Sequence, residues 1–229
     1  MVILALDTST RPGSCAVLRG EAVLAEVPGA PGQSHGERLP SDLMTALDRA
    51  GLSLSGVDVF AVATGPGSFT GLRVGIATMQ GLALAAARPL VGVSVLDALA
   101  RVAVAAGGAP RRVATWVEAW RGEVYAALYD GVTVIEPATV ERPHEILARL
   151  SRTPTRFIGD GAAAHREAIQ AALGDAAVWP EDLQPALAGI IGRMALVCVE
   201  AGHRPGPADI QPLYVRRLGA GPAPEAHGA

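Results

Sequence analysis

The fold class is decided by residues 57–95, VDVFAVATGPGSFTGLRVGIATMQGLALAAARPLVGVSV. The first part, Val57–Thr64, is an apolar run of the kind that forms a buried strand. A turn rich in glycine and proline follows, and Thr70–Ala87 is then helix-forming and almost entirely apolar. Leu90–Val95 has the buried-strand pattern again. This succession of strand, helix and strand predicts an α/β protein.

Upstream of this stretch, three short strands succeed one another and are separated by turn-rich segments. Their order implies antiparallel hairpins on one side of a sheet. The predicted strands are Val2–Leu6, Ser14–Arg19 and Glu21–Val27.

A helix is predicted between these hairpins and the decisive stretch. Ser34 and Glu37 have the spacing of a capping box at a helix start. Pro40 would lack a hydrogen-bond donor inside a helix that begins at His35. A start nearer Leu39 is therefore expected.

The order βββαβαβ occurs twice, and the second copy has weaker elements. We expect two domains, at residues 1–107 and 108–218, and a disordered tail at 219–229. The final apolar helix, about Gln184–Ala201, is a candidate to pack back on the first domain. Two such units with mixed sheets resemble the actin/hexokinase/Hsp70-like (ASKHA) fold, which has a nucleotide cleft between its domains.

Composition excludes several classes of protein and site. Half of the 229 residues are apolar, which suits a large core and argues against intrinsic disorder. All 19 basic residues are arginines, so there is no lysine for a Walker A motif, a Schiff base or a Ser–Lys dyad. The net charge of −3 argues against a free-standing nucleic-acid-binding protein.

No targeting segment is predicted, because the start of the chain lacks a basic n-region. The longest uncharged apolar stretch, Val74–Ala87, is shorter than the roughly 20 residues of a membrane span. A soluble, cytoplasmic protein without membrane contact is expected. Cys15 and Cys198 lie far apart in apolar runs, which predicts buried free thiols.

A phosphate-binding hairpin is the first candidate site. Asp7 follows the first strand, where enzymes of the fold just described have an acid before glycines. The loop behind it, Thr8–Gly13, has its one glycine at the end and contains Arg11 and Pro12, which obstruct a phosphate. Asp7 is therefore expected to form a turn.

The loop Gly65–Gly71 is a second candidate and leaves two alternatives open. Its amides can be capped by Ser68 or Thr70 at the start of the helix. The same amides, together with Arg73, can instead bind an anion.

Other catalytic and metal-binding patterns are missing from the sequence. His144-Glu145 begins a zinc-protease pattern, but Ala148 stands where the second histidine belongs. No GxSxG elbow occurs. Glu118 and Glu123 fit a hairpin whose charges face water. No catalytic, cofactor-binding or metal-binding residue is therefore predicted.

The apolar helix Thr70–Ala87 is the unusual feature of the chain. A helix that is apolar nearly all round must be buried nearly all round. Gly71, Gly75, Thr78 and Ala85 are small residues that let another helix approach closely. Two alternatives follow, a neighbouring helix of the same domain or a second subunit.

Several motifs together resemble the TsaB (YeaZ) family. They are Ile3–Ser9, Ser34-His35 with Leu39-Pro40, Gly65–Gly75, Gln80–Ala83, Gly92–Ser94, Arg121–Tyr125 and Pro212–Arg216. The resemblance covers nearly the whole chain except the tail, and its GPGSFTGLR stretch is highly specific. Glu118 departs from the family, which usually has aspartate there.

The resemblance implies a non-catalytic scaffold subunit needed to make threonylcarbamoyladenosine beside the tRNA anticodon. The implied partners are a TsaD-like catalytic subunit and a TsaE-like ATPase, with tRNA contacted only through the complex and a homodimer formed in isolation. No cofactor is implied. A small phosphotransferase of the same fold and a zinc peptidase-like protein remain as alternatives. The predicted interface residues are His35, Leu39, Leu43, Leu47, Gly71, Leu72, Gly75, Thr78, Met79 and Leu82.

Overall fold

The computed structural model describes residues 1–29, 32 and 34–215. The predicted tail at 219–229, and residues 216–218 of the predicted second domain, lie outside the described residues. Two five-stranded sheets form the framework. No helix in the described part is long and apolar enough to span a bilayer.

The first sheet has the strand order β3-β2-β1-β4-β5. The pairs β1–β2 and β2–β3 are antiparallel, whereas β1–β4 and β4–β5 are parallel. The sheet is therefore mixed, as predicted. The strands are β1 (Val2–Asp7), β2 (Ser14–Arg19), β3 (Ala22–Pro28), β4 (Val59–Gly65) and β5 (Leu90–Ser94).

The second sheet repeats this arrangement, with the order β8-β7-β6-β9-β10 when read from its antiparallel edge. The pairs β6–β9 and β9–β10 are parallel. The two copies of βββαβαβ predicted from the sequence are therefore confirmed. The strands are β6 (Arg112–Glu118), β7 (Val124–Asp130), β8 (Thr133–Glu141), β9 (Thr155–Ile158) and β10 (Ala177–Val178).

Helices cover the outer face of each sheet and fill the space between the sheets. α1 and α2 cover the first sheet, and α4 and α6 belong to the second half. α3 contacts strands of both sheets, and α7 packs on the first sheet. The helices are α1 (His35–Arg49), α2 (Phe69–Ala85), α3 (Val95–Ala105), α4 (Pro143–Arg149), α5 (Asp160–Ala164), α6 (Arg166–Leu173) and α7 (Ala188–Glu200).

The central strand β1 is apolar on both faces because helices cover both sides of it. Leu4 and Leu6 belong to the core cluster under α1 and α2. Ile3 and Ala5 point the other way, into the cluster formed with α3 and α7. Alternate side chains of a strand face opposite sides, so a strand buried on both faces reads as a continuous apolar run.

The start of α1 differs from the prediction. The helix begins at His35 and contains Pro40, so the expected start near Leu39 is wrong. The Glu37 carboxylate accepts hydrogen bonds from the Ser34 amide at 3.0 Å and from its hydroxyl at 2.7 Å. The capping box therefore sets the helix start, and the exposed side of the helix tolerates the missing donor of Pro40.

The second half holds one element that the sequence analysis missed. The five-residue helix α5 follows β9 directly and packs on β6. A single helical turn is too short to produce a periodic pattern. The predicted boundary at residues 107 and 108 falls in the loop between α3 and β6.

A hydroxyl group on the first sheet accepts hydrogen bonds from the start of α7. The side chain of Ser14, on β2, accepts hydrogen bonds from the Leu187 and Ala188 amides at 3.2 and 3.0 Å. All three residues are buried. Ser14 therefore caps the helix start from a distant part of the chain, as side-chain oxygens do for free amides.

We expect Ser14→Ala to lower the free energy of unfolding by about 1–3 kcal/mol, because two buried amides lose their acceptor. Urea unfolding monitored by circular dichroism measures the change. Ser53→Ala, at an exposed hydroxyl, is the matched control and should leave stability unchanged. Equal stability of Ser14→Ala and the unsubstituted chain would show that the cap contributes nothing.

Candidate functional site

The loop between β4 and α2 lies directly on the loop between β1 and β2. The Ser68 amide donates to the Ser9 carbonyl at 2.7 Å. A Cβ atom added at Gly67 would stand 2.5 Å from that carbonyl oxygen, and one added at Gly71 would stand 2.2 Å from the Thr8 oxygen. Real Cβ atoms do not approach so closely, so both positions require glycine.

Of the two alternatives for this loop, the structure shows the helix cap. The Ser68 hydroxyl accepts from the Gly71 amide at 3.2 Å, and the Leu72 amide donates to the Ser68 carbonyl at 2.8 Å. These amides, and that of Ser68 itself, are therefore used within the protein. The Ser68 hydroxyl therefore caps one of the free amides of this helix start.

His35 and Arg38 hold the β1–β2 loop from the start of α1. His35 Nε2 lies 3.0 Å from the Thr10 carbonyl oxygen, and Nδ1 lies 2.9 Å from an Arg38 nitrogen. Arg38 also donates to the Pro12 carbonyl and to the Asp42 carboxylate. Burial, and then the Arg38 charge, lower the pKa of His35. Since Arg38 has only donors, a neutral His35 accepts at Nδ1 and donates from Nε2.

Most of the predicted interface residues belong to the core of the chain itself. Each of them is buried against the first sheet or the β1–β2 loop. Their assignment to a subunit interface stays a prediction. In particular, a Cβ atom at Gly75 would meet the Thr8 hydroxyl oxygen at 2.1 Å, so this glycine lets α2 approach its own β1–β2 loop. The buried positions are Leu39, Leu43, Leu47, Gly71, Leu72, Gly75 and Met79.

The three remaining predicted residues, His35, Thr78 and Leu82, are half-buried at the edge of this core.

The outward face of α2 carries a stripe of exposed residues that was not predicted from the sequence. Ala77, Gly81 and Leu84 are exposed on successive turns, and Leu84 is 73% exposed. The spacing of three to four residues places them on one face of the helix. The sequence alone does not identify this face as the outward one, because α2 is apolar on most of its circumference.

A cleft lies between the two halves, where the ends of β1 and β9 face each other. Asp7 and Asp160 line it. Burial raises the pKa of Asp7, although the Ser9 amide donates to its carboxylate at 2.8 Å and opposes this. Burial also raises the pKa of Asp160, which accepts from the Glu118 amide at 3.0 Å. Because the Ser9 amide donates to the carboxylate of Asp7, this residue forms the predicted turn.

The cleft is small and holds no cation among its described lining residues. Its volume is about 140 Å³. Sites for small molecules have volumes of about 300–1,000 Å³. The acidic side chains Asp7 and Asp160 are its charged lining residues. Multiply charged phosphate groups would meet carboxylates there rather than arginines.

Histidines that are far apart in sequence come together in a shallow depression between α4 and α6. His144 and His165 both line it, and His165 Nε2 lies 3.4 Å from a Glu118 carboxylate oxygen. The sequence predicts that Glu118 faces water. Its side chain is indeed exposed, but it also lies next to His165. Within the described ranges, no group of three or more histidine, cysteine or acidic side chains is arranged to hold a metal ion.

The cysteines match the prediction in part. Cys15 is a buried free thiol, and burial followed by the Asp42 charge raises its pKa to about 12. Cys198 is also free but is partly exposed on α7. The apolar residues around Cys198 in the sequence do not show that its side chain is partly exposed.

The two-sheet architecture defines the class of protein. The ROK hexokinase of Thermus thermophilus matches with a TM-score of 0.50 at 15% identity, over 88% of this chain and 100% of that one. A likeness at this identity concerns the fold alone. The chain therefore has the predicted α/β fold of the actin/hexokinase type, built from two mixed sheets.

Proteins with higher sequence identity to this chain indicate its family within this fold class. The crystal structure of YeaZ from Pseudomonas aeruginosa matches with a TM-score of 0.76 and 30% identity, covering 93% of this chain and 99% of that one. The tRNA threonylcarbamoyladenosine biosynthesis protein TsaB of Escherichia coli (strain K12) is 41% identical over 129 residues. That match spans 56% of this chain and 55% of the relative.

A family model described as "TsaD: tRNA N6-adenosine threonylcarbamoyltransferase" matches residues 25–179. The chain belongs to this family. The similarity to TsaB and YeaZ proteins, predicted from the GPGSFTGLR stretch and the accompanying motifs, is confirmed.

We expect Gly75→Arg to prevent stable folding, because the new side chain would start inside the contact between α2 and Thr8. Gly81→Arg is the matched control on the same helix, since a Cβ atom there meets no atom within 4 Å. Thermal unfolding followed by circular dichroism compares the two variants. A cooperative, wild-type-like melting curve for Gly75→Arg would contradict the packing described above.

A second prediction concerns pH. The folded-state pKa of Asp7 lies above its ordinary value of 3.8, so its contribution to stability is lost as pH rises through the folded pKa. Asp7→Asn stays neutral and can still accept from Ser9. We expect this variant to be more stable than the unsubstituted chain at pH 7, and its advantage to shrink as the pH falls through the folded-state pKa towards 3.8. Urea unfolding across this range measures the difference, with exposed Asp175→Asn as the control.

Proposed function

We propose that the chain acts in the biosynthesis of threonylcarbamoyladenosine in tRNA, as a subunit without catalysis of its own. It binds a TsaD-like catalytic subunit through the outer faces of α1 and α2 and works with a TsaE-like ATPase. In the absence of that partner, the same faces form a homodimer. Family membership and the similarity to the E. coli tRNA threonylcarbamoyladenosine biosynthesis protein TsaB support this role.

The observation that carries the proposal is the exposed apolar face of α2. Leu84 lies at its end, and Ala77 and Gly81 precede it at helical spacing. On α1, Met44 is 50% exposed. Exposed apolar side chains grouped on one helix face are typical of interaction sites in soluble proteins. The small side chains of Ala77 and Gly81 let a partner helix approach closely, and a two-fold dimer would bring each helix against its mate.

The cleft supports a role without catalysis. A phosphotransferase would have to hold several negative charges beside Asp7 and Asp160, whose pKa values are already raised by burial. The cleft volume of about 140 Å³ also falls below the usual range for small-molecule sites. With a net charge of −3, the chain is expected to contact tRNA as part of an assembly rather than alone.

We expect Leu84→Arg to abolish capture of the TsaD-like protein from the same genome, because a charge would replace the apolar centre of the interface. Coexpression followed by affinity capture measures binding, and light scattering measures the homodimer. The variant should still fold and show a cooperative melting curve, because Leu84 is exposed within the chain itself. Val197→Arg, at a 59% exposed apolar position on α7, is the matched control.

If Leu84→Arg still captured the TsaD-like protein fully, the result would contradict the proposed interface.

The non-catalytic role has its own test on the purified chain. ATP turnover that disappears in Asp7→Asn would support the phosphotransferase alternative instead, and peptide hydrolysis that depends on stoichiometric zinc would support the peptidase-like one.

A further inference from the structure

An aromatic groove of about 370 Å³ lies beside the start of α2. Three segments that are distant in sequence form it: the start of α2, the turn between β6 and β7, and the stretch before residue 216. Its volume lies within the range of small-ligand sites. The side chains that matter most here are Phe69, Arg73, Trp120, Tyr125 and Tyr214.

The aromatic rings of this groove are unusually open to solvent. Trp120 is 80% exposed, Tyr214 is 64% exposed and Phe69 is 50% exposed. Large aromatic side chains are on average highly buried, so three exposed rings around one depression form a surface prepared for contact. Trp116, on β6, is by contrast fully buried.

The groove is held by ordered backbone on two sides. In the β6–β7 turn, Arg121 has a φ of 70°, which is uncommon for a residue with a side chain, and the Ala119 amide donates to the Glu123 carbonyl at 2.9 Å. This tight turn presents Trp120. Opposite it, the Leu213 amide donates to the Thr64 carbonyl at 2.8 Å.

The groove also contains one positively charged side chain, Arg73. The Arg73 guanidinium lies 3.7 Å from the centre of the Phe69 ring, and one of its nitrogens lies 3.4 Å from the Tyr214 hydroxyl. Arg121 adjoins Trp120 in the turn. Among the described residues, no aspartate or glutamate lines the groove.

We propose that this groove binds an unpaired RNA base, which stacks on Trp120 while an adjoining phosphate pairs with Arg73. Exposed aromatic faces beside arginine are the means by which proteins hold single-stranded nucleic acid, because every base offers a flat face. The inference rests on the proposed function, in which the assembled complex acts on tRNA. It assigns this chain a direct RNA contact within that complex, outside the outer faces of α1 and α2.

Trp120→Ala tests the stacking contact. Fluorescence anisotropy measures binding of a labelled single-stranded oligoadenylate and of duplex RNA of equal length. Both the isolated chain at low ionic strength and the chain bound to its TsaD-like partner are titrated. We expect roughly a tenfold loss of affinity for the single strand, as stacking of one base contributes on that order. Trp120→Phe should retain most of the affinity, and exposed Ile135→Ala, on β8, should behave like the unsubstituted chain.

The outcomes separate this inference from the proposed function. The inference is overturned if neither form of the unsubstituted chain binds the single strand, if Trp120→Ala binds it unchanged, or if duplex RNA binds equally well. Loss of partner capture in Trp120→Ala would assign the groove to a protein contact and also overturn it. Conversely, Trp120-dependent binding by the isolated chain supports the inference even where partner capture fails.

Discussion

The contact between α2 and the β1–β2 loop is the constraint on which the rest of the structure depends. Gly67, Gly71 and Gly75 bring the helix so near to Thr8 and Ser9 that no Cβ atom fits between them. This approach fixes the rotation of α2 about its own axis. Leu72 and Met79 are thereby directed into the core, and the opposite face is left to solvent. The apolar surface proposed for a partner is thus a consequence of glycines that lie on the other side of the helix.

The two helices between the sheets determine what the cleft can hold. α3 contacts both sheets, and α7 is capped by Ser14 and packs on the first one. The space left near Asp7 and Asp160 is small, and the buried carboxylates disfavour further negative charge. The cleft between the two halves is therefore small and lined by acidic side chains.

Two outer surfaces are chemically distinct. The stripe containing Ala77, Gly81 and Leu84 is apolar, and small residues within it suit contact with another helix. The groove at Trp120 combines aromatic rings with Arg73, which suits a flat, negatively charged ligand. Because both adjoin α2, a subunit bound to the stripe would stand near any RNA held in the groove.

The sequence by itself determined both copies of βββαβαβ, the Ser34–Glu37 capping box and the family, because these depend on local periodicity, side-chain spacing and contiguous motifs. It did not determine where α1 begins, because Pro40 argued for a later start than His35. It could not determine which face of α2 is outside. Gly75 and Gly81 look alike in a helix that is apolar nearly all round, yet a Cβ atom at one would collide with Thr8 and at the other would meet open space. The aromatic groove was equally hidden, since its walls come from three distant segments. Tertiary packing alone decides such features, because they depend on distances between residues that are remote along the chain.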